Sequence, residues 1–154
     1  MTDIVISMEH PRQDDIIAMV HELDIFGEAL YPPEANFHLS IDAMCIPEIT
    51  FLAARQGREL IGIGALWARA GVDFGEVKRM YVRDAARGLG LGAKMLATIE
   101  GLARKRGLKS LMLETGDLNT QAMKLYQRAG FFRRGPFADY PDAPLSVFME
   151  KTLD

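Results

Sequence analysis

Arg87-Gly88-Leu89-Gly90-Leu91-Gly92 is the stretch that decides how this chain is organised. Three glycines alternate with two leucines behind one cation. The preceding run, Glu76-Val77-Lys78-Arg79-Met80-Tyr81-Val82, has strand character, and the run beginning at Ala93 has helical periodicity to near Arg106. Strand, glycine loop and helix N-terminus in succession make a cradle for an anion. Glycine adopts positive φ and lets the backbone approach a ligand closely. The first N–H groups of a helix lack intrahelical partners and lie at the positive end of its dipole. A phosphate or pyrophosphate suits such a place.

From the residues alone, the glycines could instead only turn the chain and pack a helix on a strand, since a lone glycine motif is a weak signal. Gly88-Leu89-Gly90-Leu91-Gly92-Ala93 also fits the G-x-G-x-x-A of a dinucleotide site, with Glu114 as the ribose-binding acid. Against this, Arg83 to Arg87 separate the strand from the first glycine, where a dinucleotide turn is tight. Too little chain follows for a second βαβ half.

The run from Glu76 to Phe132 resembles the GNAT family of acyl-CoA-dependent N-acyltransferases, in the form of its small single-domain bacterial members. Arg87 to Gly92 satisfies the family's Arg/Gln-x-x-Gly-x-Gly/Ala block. Asn119-Thr120-Gln121-Ala122-Met123-Lys124-Leu125-Tyr126-Gln127-Arg128-Ala129-Gly130-Phe131 looks like its second block, with Asn119, Leu125-Tyr126 and Gly130-Phe131 in the expected relative places. The resemblance is clear from Thr50 to Glu150 and holds only in outline before that.

The resemblance implies acetyl-CoA as co-substrate and no metal. It implies direct transfer of the acetyl group to a primary amine of a small molecule or amino acid. Arg87, Gly88, Leu89, Gly90, Leu91 and Gly92 would hold the pyrophosphate, with Asn119 a further contact. Met80, Tyr81 and Val82 would offer a strand edge to the amides of the pantetheine arm, and a backbone N–H there would polarise the thioester carbonyl. Tyr126 lies on the apolar face of its helix by local spacing; its motif position implies the acid that protonates the departing thiolate. Glu76 is the first candidate for the base: it stands four residues before Met80, as in histone-type relatives, and strand alternation puts it on one face with Lys78, Met80 and Val82. Glu114 is the second candidate. The acceptor end is expected at the segment after Tyr31 and at the loop around Asp139 and Tyr140, with Glu114 as a further contact. Glu28, Glu34, Asn36 and His38 are the other polar candidates near Tyr31. A non-catalytic acyl-CoA-binding or sensor module, or acetylation of a protein amine, are the competing functions.

Length and composition set outer limits. A chain of 154 residues, 49% hydrophobic and 25% charged, is expected to be one domain from 1 to 154 with a sizeable core. A net charge of −3 gives no general attraction to nucleic acid or to an anionic membrane. No apolar run approaches the length of a membrane span, and the N-terminus lacks the features of a signal peptide, so a cytoplasmic location is expected. Cys45, the single cysteine, is expected as a buried thiol in a reducing compartment. His10, His21 and His38 are scattered without metal-ligand spacing. A homodimer is compatible with the sequence.

The order of elements reads as a strand at Ile4-Val5-Ile6 and a helix after Pro11 that buries Ile16, Ile17, Val20 and Leu23 and fades near Gly27. A second short helix is expected from Leu39 to Met44. Strands follow at Thr50 to Ala54, Leu60 to Trp67 and from Glu76, with Ile61, Ile63, Ala65 and Trp67 on one face of the second. After the glycine loop come a helix, a strand from Ser110 to Glu114, a helix capped by Asn119, a strand at Phe131-Phe132 and a last strand from Ser146 to Glu150. This pattern is α/β, with a mixed central sheet of about six to seven strands flanked by about four helices. The resemblance implies the same order.

Overall fold

The computed structural model describes residues 3–154. The elements run β1 (Ile4–Met8), α1 (Asp14–Leu30), β2 (Ile49–Gln56), β3 (Glu59–Trp67), β4 (Phe74–Val82), α2 (Leu91–Lys105), β5 (Ser110–Gly116), α3 (Thr120–Arg128), β6 (Phe132–Arg134) and β7 (Ser146–Thr152). The seven strands form one mixed sheet in the order β1-β2-β3-β4-β5-β7-β6. Among the described residues only β4 and β5 are parallel neighbours, as a strand–helix–strand crossover through α2 requires.

The sheet has a core on each face. α1 covers one, where Ile16, Met19 and Val20 pack with Met44, Phe51, Ile63 and Ala65. α2 and α3 cover the other, where Met95, Leu96 and Ile99 meet Leu66, Leu111, Leu113 and Met149. The three α2 side chains are at most 1% exposed, and burial of each contributes about 1.5–3 kcal/mol.

Several local expectations are corrected. The helix expected at Leu39 to Met44 is a single 3₁₀ turn, Asp42–Cys45, whose start is held by a bond from the Ala43 N–H to Ser40 Oγ (3.1 Å). Pro47 and the start of β2 leave no room for a further turn. Three α-helices therefore flank the sheet among the described residues. Cys45 is exposed, not buried, and its thiol donates to the Ile41 carbonyl (3.2 Å). α1 continues through Gly27 to Leu30, because that glycine gives room to the His38 ring rather than ending the helix. Within α1, Ile17 faces solvent and Met19 takes its place in the core.

Two bulges reset which side chains share a face. In β3 the pairing passes from Ala54–Gly62 to Arg55–Leu60, leaving Ile61 as the extra residue. Ile61 therefore joins the α2 side and Leu60 the α1 side, against the simple alternation. In β4, Lys78 stands opposite Ala65 and Tyr81 opposite Ile63, so Arg79 and Met80 together oppose Gly64. Arg79 takes the left-handed conformation, with φ of 56°. Glu76, Lys78 and Tyr81 consequently lie on the α1 face, whereas Val77, Met80 and Val82 lie on the α2 face. Glu76 does not share a face with Met80 or Val82, as alternation had implied.

The guanidinium of Arg79 fixes this bulge. It donates to the Leu39 carbonyl through Nε (2.9 Å) and Nη2 (2.6 Å) and to Asp24 through Nη1 (2.5 Å). A left-handed residue with a Cβ costs about 1–2 kcal/mol, which glycine avoids. Arg79→Gly and Arg79→Ala both lose the guanidinium, so their difference isolates the backbone. The glycine variant should be the more stable of the two by about 1 kcal/mol in urea unfolding, the reverse of the order in an ordinary strand. An alanine variant as stable as the glycine one would show that the bulge relaxes once the side chain is gone.

Candidate active site

β4 and β5 pair only over Phe74–Glu76 with Ser110–Met112. Beyond Glu76, β4 keeps β3 on one side and borders open space on the other. A groove of about 610 Å³ occupies this opening, and a smaller cavity of about 140 Å³ continues it. Leu23 and Phe26 of α1, Met80 of β4, and Asn119, Ala122 and Tyr126 line both spaces. The two therefore meet around Tyr126.

The groove runs from Met80, Tyr81 and Val82 past Arg87, Gly88, Gly90, Leu91 and Gly92. Gly88 and Gly90 have φ of 86° and 72°, and space is open where their Cβ atoms would lie. Gly90 is the N-cap of α2, and the first bond of that helix runs from the Lys94 N–H to the Gly90 carbonyl (3.1 Å). By helix geometry the N–H groups of Leu91, Gly92 and Ala93 are left without intrahelical partners. The leucines divide: Leu91 is buried in the α2 core, whereas Leu89 is exposed and does not line the groove. Gly92 answers a packing need, since a Cβ there would stand 2.9 Å from Leu125 Cδ2 on α3. Arg87 is tied by Nε to the Val82 carbonyl (3.2 Å) and by Nη1 to Asp84 (2.6 Å). Arg128, which the motif did not single out, brings a second cation to the groove.

Asn119 begins α3 but makes no side-chain cap bond. The expected capping role is not seen, and the side chain instead borders both spaces. Tyr126 is 7% exposed. Burial, and next the nearby Glu114 charge, push its hydroxyl well above the ordinary phenol range, so it stays protonated.

The smaller cavity carries the titratable groups. Glu114 lines it and accepts a hydrogen bond from Ser146 Oγ (2.7 Å). Burial raises its pKa above the ordinary carboxylate value, the Ser146 bond opposing. Lys78 and His38 also line it, and burial lowers both of their pKa values. His38 Nδ1 lies 3.0 Å from Asp24. Tyr31 forms part of the wall, with its hydroxyl accepting from the Leu118 N–H (2.5 Å).

Besides Leu89, two expected site residues lie elsewhere. Glu76 is 0% exposed and lines neither space. Its carboxylate accepts from Arg69 Nη2 (2.6 Å) and from the Tyr140 hydroxyl (2.5 Å), with Lys78 Nζ at 3.4 Å. Tyr140 also lines neither space; it accepts from Lys78 Nζ (2.8 Å), which donates in turn to the Phe37 carbonyl (3.0 Å). Glu76 and Tyr140 thus support the cavity wall from behind. The contributions of Leu23 and Phe26 had no local signal, because they are ordinary members of an apolar helix face. Asn36 and His38 belong to the polar set near Tyr31, while Glu28 and Glu34 line neither space. Among the described residues no group of three or more His, Cys, Asp and Glu could hold a metal ion, and no helix is long and apolar enough to cross a membrane.

Comparison with known proteins bears on this geometry. The model of the acetyltransferase (GNAT) family matches residues 17–131. An IAA acetyltransferase of Azospirillum brasilense is 42% identical over 153 residues, covering 99% of this chain and 100% of that protein. A crystal structure described as a candidate acyl-CoA N-acyltransferase of Klebsiella pneumoniae is 36% identical, covers 98% of both chains and superposes with a TM-score of 0.82. The PaiA N-acetyltransferase of Thermoplasma acidophilum, solved in complex with coenzyme A, shares the fold with a TM-score of 0.75 at 19% identity, over 97% of this chain and 99% of that one. With a full-length relative, a matching family model and a splayed sheet beside a glycine-opened helix, the chain belongs to the GNAT family of acetyltransferases.

Proposed function

We propose that this acetyltransferase uses acetyl-CoA and moves its acetyl group to a primary amine of a small molecule or amino acid by direct attack. The observation that carries this proposal is the meeting of the groove and the smaller cavity at Tyr126 and Met80. A long ligand in the groove would present its end to a compact ligand in the cavity. The pyrophosphate lies at the Arg87–Gly92 loop, against the open backbone of Gly88 and Gly90 and the free N–H groups of α2. The pantetheine arm follows β4 at Met80, Tyr81 and Val82, adding to the strand on the side that β5 leaves open.

In the transfer, the amine nitrogen forms a bond to the acetyl carbon and the carbon–sulfur bond breaks. The acceptor enters as an ammonium and must first give up one proton; its nitrogen loses a second after bonding to the acetyl carbon, and that proton makes good the one the thiolate takes. Glu114 is the carboxylate on the cavity wall, and we assign it the base, acting directly or through one water. Glu76, the other candidate, is enclosed by Arg69, Tyr140 and Lys78, so it supports the site rather than taking the proton. The departing thiolate takes its proton from Tyr126, whose burial keeps it protonated.

Three experiments test these assignments. Gly90→Asp puts a side chain at φ of 72° and a negative charge where phosphate would sit. CoA affinity should fall by about tenfold or more, the scale of one charge-assisted contact, and an unchanged affinity in a folded variant would remove the loop from the site. Glu114→Gln should abolish the acid limb of the pH profile of kcat/KM. In the unaltered protein that limb lies above the ordinary Glu value, since a raised pKa keeps the base protonated to higher pH. Glu76→Gln should keep the limb; loss of the limb there and not in Glu114→Gln would exchange the two roles. Tyr126→Phe should lower kcat by about ten- to a thousand-fold with little change in CoA affinity. Full turnover in Tyr126→Phe would pass the acid role to solvent.

A further inference from the structure

Tyr31 was expected at the acceptor end, and the polar atom of its side chain is the hydroxyl. The structure occupies that hydroxyl: it accepts from the Leu118 N–H at 2.5 Å and lies 3.5 Å from Asp117 Oδ1. What Tyr31 offers the cavity is therefore its ring. The residue is the C-cap of α1, in extended conformation, with its N–H bonded to the Gly27 carbonyl (2.9 Å). From there the side chain spans to the far end of β5 and lies directly over Gly116. A Cβ on Gly116 would overlap the ring's Cζ, Cε2 and hydroxyl oxygen. Gly116 has an ordinary negative φ, so no turn demands a glycine there. The ring overhead does.

The chain on either side of Tyr31 is also fastened. Pro32 and Pro33 restrict the backbone that follows, and Asn36 Nδ2 donates to the carbonyls of Tyr31 (3.4 Å) and Pro32 (3.3 Å). The cavity that Tyr31 and Gly116 both line measures about 140 Å³, against about 610 Å³ for the groove.

We infer that the Tyr31 ring, seated on Gly116 and bolted to Leu118, is the stop that limits this enzyme to compact primary amines. Gly116 is the residue that lets the stop close. Tyr31 is thus a specificity-determining residue acting by shape, with no proton to give or take. This inference rests on the proposal that the smaller cavity receives the acceptor. A pocket wall discriminates one methylene by about ten- to two-hundred-fold, so a whole ring removed from the wall should be visible in the ratio of two substrates.

The test is a graded series of primary amines, ethylamine, butylamine, benzylamine and 2-phenylethylamine, each with acetyl-CoA and read by release of CoA thiol. The unaltered enzyme should favour the small end of the series. Tyr31→Ala should raise the 2-phenylethylamine to ethylamine ratio of kcat/KM by about tenfold or more, while the KM for acetyl-CoA stays close to its original value. Gly116→Ala, which keeps the ring but displaces it, should shift the same ratio in the same direction, and serves if Tyr31→Ala does not fold. Tyr31→Phe keeps the ring and loses the bolt, so its ratio should lie between. An unaltered enzyme that takes large and small amines alike, or variants whose ratios match it, would overturn the stop. No thiol release by the unaltered enzyme with any of these amines would overturn the acceptor assignment itself, and the stop with it.

Discussion

The sheet of this protein is broken on purpose at one place, and the rest of the site depends on that break. β4 and β5 hydrogen-bond over three residue pairs and then part. Backbone N–H and C=O groups cannot be left dry without cost, so the free side of β4 beyond Glu76 is tolerated only because it borders a groove. A ligand with amide groups can complete what β5 leaves open. The Arg79 bulge acts at the same point. By placing two residues opposite Gly64, it turns Met80 and Val82 to the α2 face while Lys78 and Tyr81 remain on the α1 face. One irregular residue thus resets which side chains of β4 share a face.

The fully buried carboxylate of Glu76 shows how the opening is kept from collapsing. A buried charge is costly unless paired and hydrogen-bonded. Here Arg69, Tyr140 and Lys78 surround it, and Arg69 stacks on the Trp67 ring at 3.7 Å. Phe37 and Tyr140 pack edge to face with centroids 5.4 Å apart, and Lys78 holds the Phe37 carbonyl. The network joins β4, the segment after α1 and the loop between β6 and β7. These three pieces are far apart in sequence, and the two irregular segments have few regular backbone bonds of their own. Removing Glu76 would leave Arg69 and Lys78 without their shared carboxylate, which makes the network specific as well as expensive.

The sequence was most legible where a local pattern meets a local need. The glycine loop, the strand before it and the helix after it stand where Arg87 to Gly92 announced them. The α2 stripe of Met95, Leu96 and Ile99 is buried as its spacing required. It was least legible where one extra residue changes every later side chain. Nothing in Glu76 to Val82 marks Arg79 as left-handed, so simple alternation put Glu76 beside Met80. The same blindness misplaced Ile61. The lining of the smaller cavity was legible only in part. Tyr31, Glu114, Asn36 and His38 do reach the smaller cavity, but Tyr140 stands behind it, because a loop's side chains are placed by tertiary contacts that no spacing rule records. Gly116 carries no local signal in the sequence; its purpose depends on a tyrosine 85 residues earlier in the chain (116 − 31).

The common wall of the two spaces has a thermodynamic consequence. Leu23, Phe26, Met80, Asn119, Ala122 and Tyr126 each face both. A molecule that orders these side chains from the groove changes the surface met by a second molecule in the cavity. Whatever factor the first contributes to the affinity of the second, the second returns to the first. Two ligands held in these spaces at once would therefore be coupled through a shared set of rotamers, and their free energies of binding would belong to the pair.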